Sequence, residues 1–228
     1  MTESPSARAT TMRIDLHCHT EASHDCRTPL AQIPGRCIER NLDVLAVTDH
    51  NQVWGALKLQ EIVADHSDLT VIVGEEISTR EGELIGLFLH ENIPAGLTPE
   101  QTVAAIRDQG GLVLLPHGFD PLKVHRLKPA ALERIADQID IVEIFNARIS
   151  RPTWNRAAST WATQHTRAVS AGSDAHLLAH IGDAWVEAPR RQIASKDDLL
   201  TALNEGQVAG NWTHPAFAFV QKLLHVER

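Results

Sequence analysis

Cysteine is scarce in this chain: 228 residues hold three, Cys18, Cys26 and Cys37. An odd number without a regular framework excludes a disulfide-built scaffold. Basic charge is also in deficit, with 21 Lys and Arg against 29 Asp and Glu, for a net charge of -8. That argues against a general nucleic-acid-binding surface, which rests on clustered Lys and Arg. Long apolar runs are missing as well. No stretch has the length of a membrane span, and none has the basic and apolar layout of a signal peptide. The expectations are a reducing cytoplasm, no membrane and no stable nucleic-acid partner. No Gly-x-Gly-x-x-Gly follows an early strand, which disfavours an open doubly wound nucleotide-binding sheet.

What is present suits one large α/β core. The chain is 43% apolar and 22% charged, and barrel-type domains of this size are often single. Residues 1–11, rich in Ser, Thr and Ala, carry no apolar period and read as a loose tail, leaving 12–228 as one domain. Seven short apolar runs have the length and branching of buried strands: 12–16, 44–47, 69–73, 84–89, 112–115, 139–145 and 168–171. Helical segments lie between them. Thr98-Pro99-Glu100-Gln101 is a capping box with Pro at the first helical position, and Ser195-Lys196-Asp197-Asp198 opens a helix that Gly206 stops. The helix expected after Thr28-Pro29 contains Pro34 and Gly35, so its start is set no earlier than Pro34. Seven alternations of strand and helix predict a parallel sheet closed into a barrel. A stripe over residues 215–224 is apolar at helical spacing and predicts a packing helix.

In such a barrel, chemistry collects where strands end, at the C-terminal face. In chain order those ends deliver His17 and His19, Asp49 and His50, Glu75 and Glu76, His117, Glu143 with Asn146, and Asp174 with His176. A strand alternates its faces, so His17 and His19 point the same way, about 7 Å apart along the backbone. Cys18, between them, is expected to pack as a small apolar group on the other face. Any one pair could be a capping Asp beside a surface His. Six such ends on one rim would repel one another without cations between them. Imidazole and carboxylate with no cysteine cluster suit Zn, Mn or Fe in a catalytic site.

The series Asp15-Leu16-His17-Cys18-His19-Thr20, Thr48-Asp49-His50, Gly74-Glu75-Glu76-Ile77-Ser78, Pro116-His117 and Ser173-Asp174-Ala175-His176 resembles the PHP (polymerase and histidinol phosphatase) family of metal-dependent phosphoesterases. The likeness spans roughly residues 12–190, in the family's order. It implies a distorted seven-stranded (β/α)7 TIM-like barrel with two or three divalent ions at its C-terminal face. By position, His17, His19 and Asp174 would hold a first ion, which Glu76 bridges to a second. His50 would ligate that second ion with Asp25, for which His24 is the competing candidate. His117 and His176 would hold a third. Many relatives have a histidine where this chain has Glu83, and a carboxylate can ligate the same metals.

The chemistry implied is hydrolysis of a phosphate mono- or diester of a small molecule by metal-activated hydroxide. Asp174, His117 and His176 are the expected catalytic groups, the two histidines serving the leaving oxygen if no third ion does. Arg148, then Arg80, are the candidate phosphate forks. Asp15, Asp49, Glu143 and Asn146 read as carboxylates and an amide that orient ligands, Asp15 through an imidazole. Lys123, His125, Arg126 and Lys128 form the one local basic cluster and read first as a solvated helix start, second as a steering patch. The alternatives are a 3'-5' exonuclease acting on oligonucleotides and an amidohydrolase-like C–N bond hydrolase on the same ions. Substrate, metal identity, metal count and oligomeric state are left open.

Overall fold

A computed structural model describes residues 10–64 and 68–214. All seven expected strands form, as β1 (Thr11–Cys18), β2 (Val44–Val47), β3 (Thr70–Thr79), β4 (Gly82–Leu87), β5 (Leu112–Leu115), β6 (Ile141–Asn146) and β7 (Ala168–Gly172). Two more follow, β8 (Ala184–Pro189) and β9 (Gln207–Gly210), so the sheet has nine strands among the described residues rather than seven. The helices are α1 (Ile33–Arg40), α2 (Trp54–Val63), α3 (Pro99–Asp108), α4 (Pro129–Ile135), α5 (Pro152–Gln164) and α6 (Lys196–Glu205). None of the described helices is long and apolar enough to cross a membrane. The apolar stripe at 215–224 and residues 1–9 lie outside the described residues. Thr11, assigned to the loose tail by composition, is already paired with Pro189.

The expected all-parallel order is also corrected. The strand order is β7-β6-β5-β4-β3-β2-β1-β8-β9, with β4 antiparallel to both neighbours and β8 antiparallel to β1 and β9. The physical reason is connection length. Parallel neighbours need a crossover of a dozen or so residues, and only Arg80 and Glu81 separate β3 from β4. A hairpin is what so short a link allows. Closure comes from the segment after β7, where Asp174 N donates to His17 O at 2.7 Å and His19 N donates to Ala175 O at 3.0 Å. The result is a nearly closed, barrel-like sheet.

Alternation along the strands feeds two cores. Leu45, Val47, Val71, Val73, Val113 and Leu115 pack against apolar residues of α1 to α5, among them Ile33, Leu59, Ile106, Ile135 and Ala158. Ile14, Val44, Ala46, Ile72, Leu114 and Ile141 belong to the second core, which Leu199, Ala202 and Leu203 of α6 close. Cys18 is fully buried in the first core, as its position between two histidines required. The helix starts follow their local chemistry. Thr98 Oγ1 accepts from Gln101 N and Gln101 Oε1 accepts from Thr98 N, and Ser195 with Asp198 repeats the arrangement at α6. α1 begins at Ile33, one residue before the expected start, because Pro34 is tolerated in the first turn, and it is capped at Asn41 in the left-handed conformation (φ 56°).

The β3–β4 turn depends on Gly82, whose φ of +123° is disfavoured for other residues. There is also no room: an added Cβ would lie 2.4 Å from Arg126 O and 2.4 Å from Leu127 Cα. Gly82→Ala is expected to destabilise the fold by about 2 kcal/mol or more, the combined effect of backbone strain and overlap with backbone. Urea unfolding followed by circular dichroism measures this, and a loss under about 0.5 kcal/mol would contradict it.

Candidate metal centre

The ends of β1, β2, β5 and β7 and the middle of β3 deliver their side chains to one buried cluster, and Glu76 is its hub. Glu76 Oε2 lies 3.4 Å from His17 Nε2, 3.3 Å from His19 Nε2 and 3.3 Å from His50 Nδ1, while Oε1 lies 3.0 Å from His117 Nε2. Asp174 Oδ1 stands 3.9 Å from His17 Nε2, 3.6 Å from His19 Nε2 and 3.5 Å from His176 Nδ1. Asp174 adopts φ 50°, a left-handed conformation of the kind that persists at functional sites when the surroundings enforce it. Among the described residues, four triplets have one donor atom per residue mutually within 4.8 Å: His17, His19 and Glu76; His17, His117 and Asp174; His50, Glu76 and Glu83; and His19, His50 and His176.

The outer partners decide which ring nitrogen faces inward. His17 Nδ1 meets Glu143 Oε1 at 3.0 Å, and Glu143 Oε2 accepts from His117 N and from Asn146 Nδ2. His19 Nδ1 meets Ser23 Oγ at 3.2 Å, and Ser23 Oγ donates to Asp49 Oδ1 at 2.7 Å. Asp49 also accepts from Thr20 N and Thr20 Oγ1, which pins the turn after His19. Both rings therefore turn Nε2 toward each other, 3.2 Å apart. Two imidazole nitrogens at that distance, each with its far nitrogen engaged, are oriented as ligands of a shared cation are. Gly172 allows the approach, since a Cβ there would meet Glu143 Oε1 at 2.2 Å and His17 Cβ at 2.3 Å.

The electrostatics agree. Burial opposes charge on His17, but Glu143, Glu76 and Asp174 outweigh it and hold its pKa well above the ordinary value. Burial likewise opposes charge on Glu76, and the His17 charge with hydrogen bonds from His117, His17 and His19 holds it well below. Glu83 is pushed up to about 9 by burial and by the carboxylates of Glu76 and Asp174. His176 is pushed down to about 3 by burial, His19 and Arg148, which leaves a neutral imidazole. So much negative potential among inward-facing imidazoles fits divalent cations as the missing charge.

The remaining candidates divide. Asp25 Oδ2 lies 3.0 Å from His176 Nε2, and Oδ1 3.8 Å from His50 Nε2. His24 is exposed, its ring 5.5 Å from that of His50. His117 and His176, expected on one ion, fall in different triplets, and Glu83 stands 3.9 Å from His50 Nδ1. Arg148 Nη1 donates to Asp174 O at 2.9 Å and Oδ1 at 3.2 Å and touches His176 Nδ1. Arg80 is corrected: its Nε donates to Gly96 O at 2.7 Å. Four residues beyond Glu76, it stands about 13 Å farther along the chain. Asp15 is corrected too. It orients no imidazole; its carboxylate accepts from the backbone N–H of His17, Ser173 and Gly182. A break in register between Asp15 and Cys18 accounts for this, since it cancels the i, i+2 alternation.

Lys123, expected only as part of a solvated helix start or a steering patch, instead places its Nζ 2.6 Å from Asp174 Oδ2. The available signal was Asp120-Pro121, a turn dipeptide that sends the chain back toward the rim after β5. A cleft of about 880 Å³ opens beside Asp25 and His176, between α1 and residues 177–179, with Arg27, Gln32 and Arg36 among its lining residues.

Comparison with known proteins follows the same lines. The family model described as PHP-associated matches residues 152–208. The uncharacterized protein MJ0417 of Methanocaldococcus jannaschii is 34% identical over 194 residues, 82% of this chain and 75% of that one. A 5'-3' exoribonuclease of Haemophilus influenzae is 29% identical over 125 residues, 50% of this chain and 45% of that one. Among solved structures, a two-domain Bacteroides vulgatus protein containing a predicted PHP-like metal-dependent phosphoesterase superposes with a TM-score of 0.69 at 17% identity. That match covers 89% of this chain, which spans only 65% of the Bacteroides protein. The chain shares a family with the uncharacterized Methanocaldococcus jannaschii protein, and the PHP-associated segment at residues 152–208, together with the fold, identifies that family as the PHP family.

Proposed function

We propose that the protein hydrolyses a phosphate ester of a small phosphorylated molecule, using two or three divalent ions of Zn, Mn or Fe. The observation that carries this reading is Glu76, with one carboxylate oxygen facing His17, His19 and His50 and the other facing His117. His17, His19 and Asp174 would hold one ion, with Glu76 bridging. His117 on one flank, and His50, Asp25 and His176 on the other, would hold the rest, with Glu83 beside His50. When bound, such ions lower the pKa of a water and neutralise phosphoryl oxygens. Glu143, Ser23, Asp49 and Asn146 keep the ligand rings oriented, and Arg148 offers its guanidinium to the phosphoryl group. The cleft beside His176 falls within the size range of ligand pockets and suits the ester's leaving portion.

Two other readings rank lower. Likeness to an exoribonuclease supports an oligonucleotide substrate, although that relative's named 5'-3' polarity is opposite to the 3'-5' alternative considered from sequence. An amidohydrolase-like C–N hydrolase would be favoured by a metal-bridging carboxylated lysine, and Glu76 already fills the bridging role. Three free, buried cysteines suit a reducing cytoplasm.

With Mn or Zn added, the protein is expected to hydrolyse an aryl phosphate mono- or diester, and Asp174→Ala and His17→Ala are expected to reduce turnover to background with the fold intact by circular dichroism. Variants as active as the parent would sink the assignment. Glu143→Ala should weaken metal binding by about 10- to 100-fold, read by chelator competition. Proton release tests Glu83. Its raised pKa of about 9 keeps it protonated at pH 7 in the metal-free protein, so ligation there must expel a proton. Calorimetry in buffers of different ionisation enthalpy should show about one proton fewer released by Glu83→Gln; an unchanged count removes Glu83 from the ligand set.

A further inference from the structure

Lys123 lies on the 117–128 loop between β5 and α4, outside the metal-ligand set. Its neighbours Leu122 and Val124 are 66% and 89% exposed, while the lysine between them turns inward and is only a quarter exposed. Apolar side chains in water and a cation against a buried carboxylate reverse what hydrophobicity alone would choose. The loop imposes that direction. Asp120, fully buried, accepts from Leu122 N at 3.0 Å through Oδ1, and its carbonyl accepts from Lys123 N at 3.1 Å. The far end is tied to the β3–β4 hairpin, where Glu83 N donates to His125 O and Lys128 N donates to Glu81 O, both at 2.8 Å.

The same Asp120 reaches a second loop. Its Oδ2 accepts from Ser150 N at 2.7 Å, two residues after Arg148. Lys123 and Arg148 then meet Asp174 at different oxygens: Lys123 at Oδ2, and Arg148 at Oδ1 and the carbonyl. Oδ1 is the oxygen turned toward His17 and His19, so Lys123 leaves the ligand oxygen free. An ammonium has three donors; one is spent on Oδ2 and two remain at the rim.

We propose that Lys123 binds the phosphoryl group of the substrate, bracketing it together with Arg148 over the metal centre, and that Asp120 is the positioning residue that keeps the two cation-bearing loops in register. This rests on the phosphoesterase reading above.

The test uses the full chain loaded with Mn and orthophosphate as the probe, with affinity read by calorimetry and metal content by elemental analysis. Lys123→Met is expected to weaken orthophosphate binding by about 10- to 100-fold, the range of a lost hydrogen bond to a charged group, with metal content and melting temperature kept. Lys123→Gln gives the same reading should the methionine variant not fold, and Lys123→Arg should recover part of the affinity. Asp120→Asn should weaken phosphate binding in the parent and by a smaller factor in the Lys123→Met background, where only the Arg148 loop is left to disturb. Parental phosphate affinity in Lys123→Met and Lys123→Gln would overturn the assignment, leaving the lysine as a neutraliser of Asp174. Equal Asp120→Asn losses in both backgrounds would overturn the positioning role. Lysine-dependent phosphate binding without hydrolysis of any ester would instead defeat the phosphoesterase reading and leave the Lys123 assignment standing.

Discussion

A carboxylate with no water around it must find its counter-charge in the protein or in an ion, and Glu76 is such a group: 1% exposed, facing four imidazoles. Leaving it uncompensated would cost several kcal/mol. Much of the surrounding structure answers that one requirement. His17 and His19 arrive from β1, His50 from the end of β2 and His117 from the end of β5, while the closing segment after β7 brings Asp174 and His176. A sheet that stopped short of closure would leave β1 without Asp174 and its backbone bond to His17.

A second tier keeps the first from collapsing on itself. Imidazoles 3.2 Å apart would rotate away from each other unless their outer nitrogens were held, and Glu143 and Ser23 hold them. The holders are held in turn: Glu143 by the His117 and Asn146 N–H groups, Ser23 by Asp49. Asp15 works on backbone and on the Ser173 side chain instead, joining β1, the residue after β7 and Gly182, and burial raises its pKa to about 6 even with those bonds. Cations enter from the loops rather than the strands. Arg148 and Lys123 both converge on Asp174, and the loops that carry them share the buried carboxylate of Asp120.

Most of the seven strands that were legible in the sequence carry apolar runs buried on both faces, as at Val44-Leu45-Ala46-Val47. β8 escaped because its pattern is the weaker period-two kind, with Ala184, Val186 and Ala188 buried and Trp185 and Glu187 half-exposed. β9 escaped because four residues, none of them buried, carry almost no signal. The reversed direction of β4 could have been foreseen. β3 runs on through Thr79, so the interval to β4 is two residues, too few for a crossover. Reading Gly74 to Ser78 as a strand end rather than strand hid that constraint.

For the site, sequence alone determined the donors: which residue types stand at the strand ends, and hence that one rim is crowded with imidazole and carboxylate. Periodicity carries that information because strand faces alternate and loops follow strands. Tertiary structure alone decided the groupings. Whether His176 stands with His117 or with His19 and His50 depends on how far the sheet curls, and whether Asp15 reaches a ring or a backbone amide depends on a register break no composition records. Lys123 and Arg80 make the same point from opposite sides. Both are cations in loops near the rim, and only the turn at Asp120 and the length of β3 send one to Asp174 and the other to the carbonyl of Gly96.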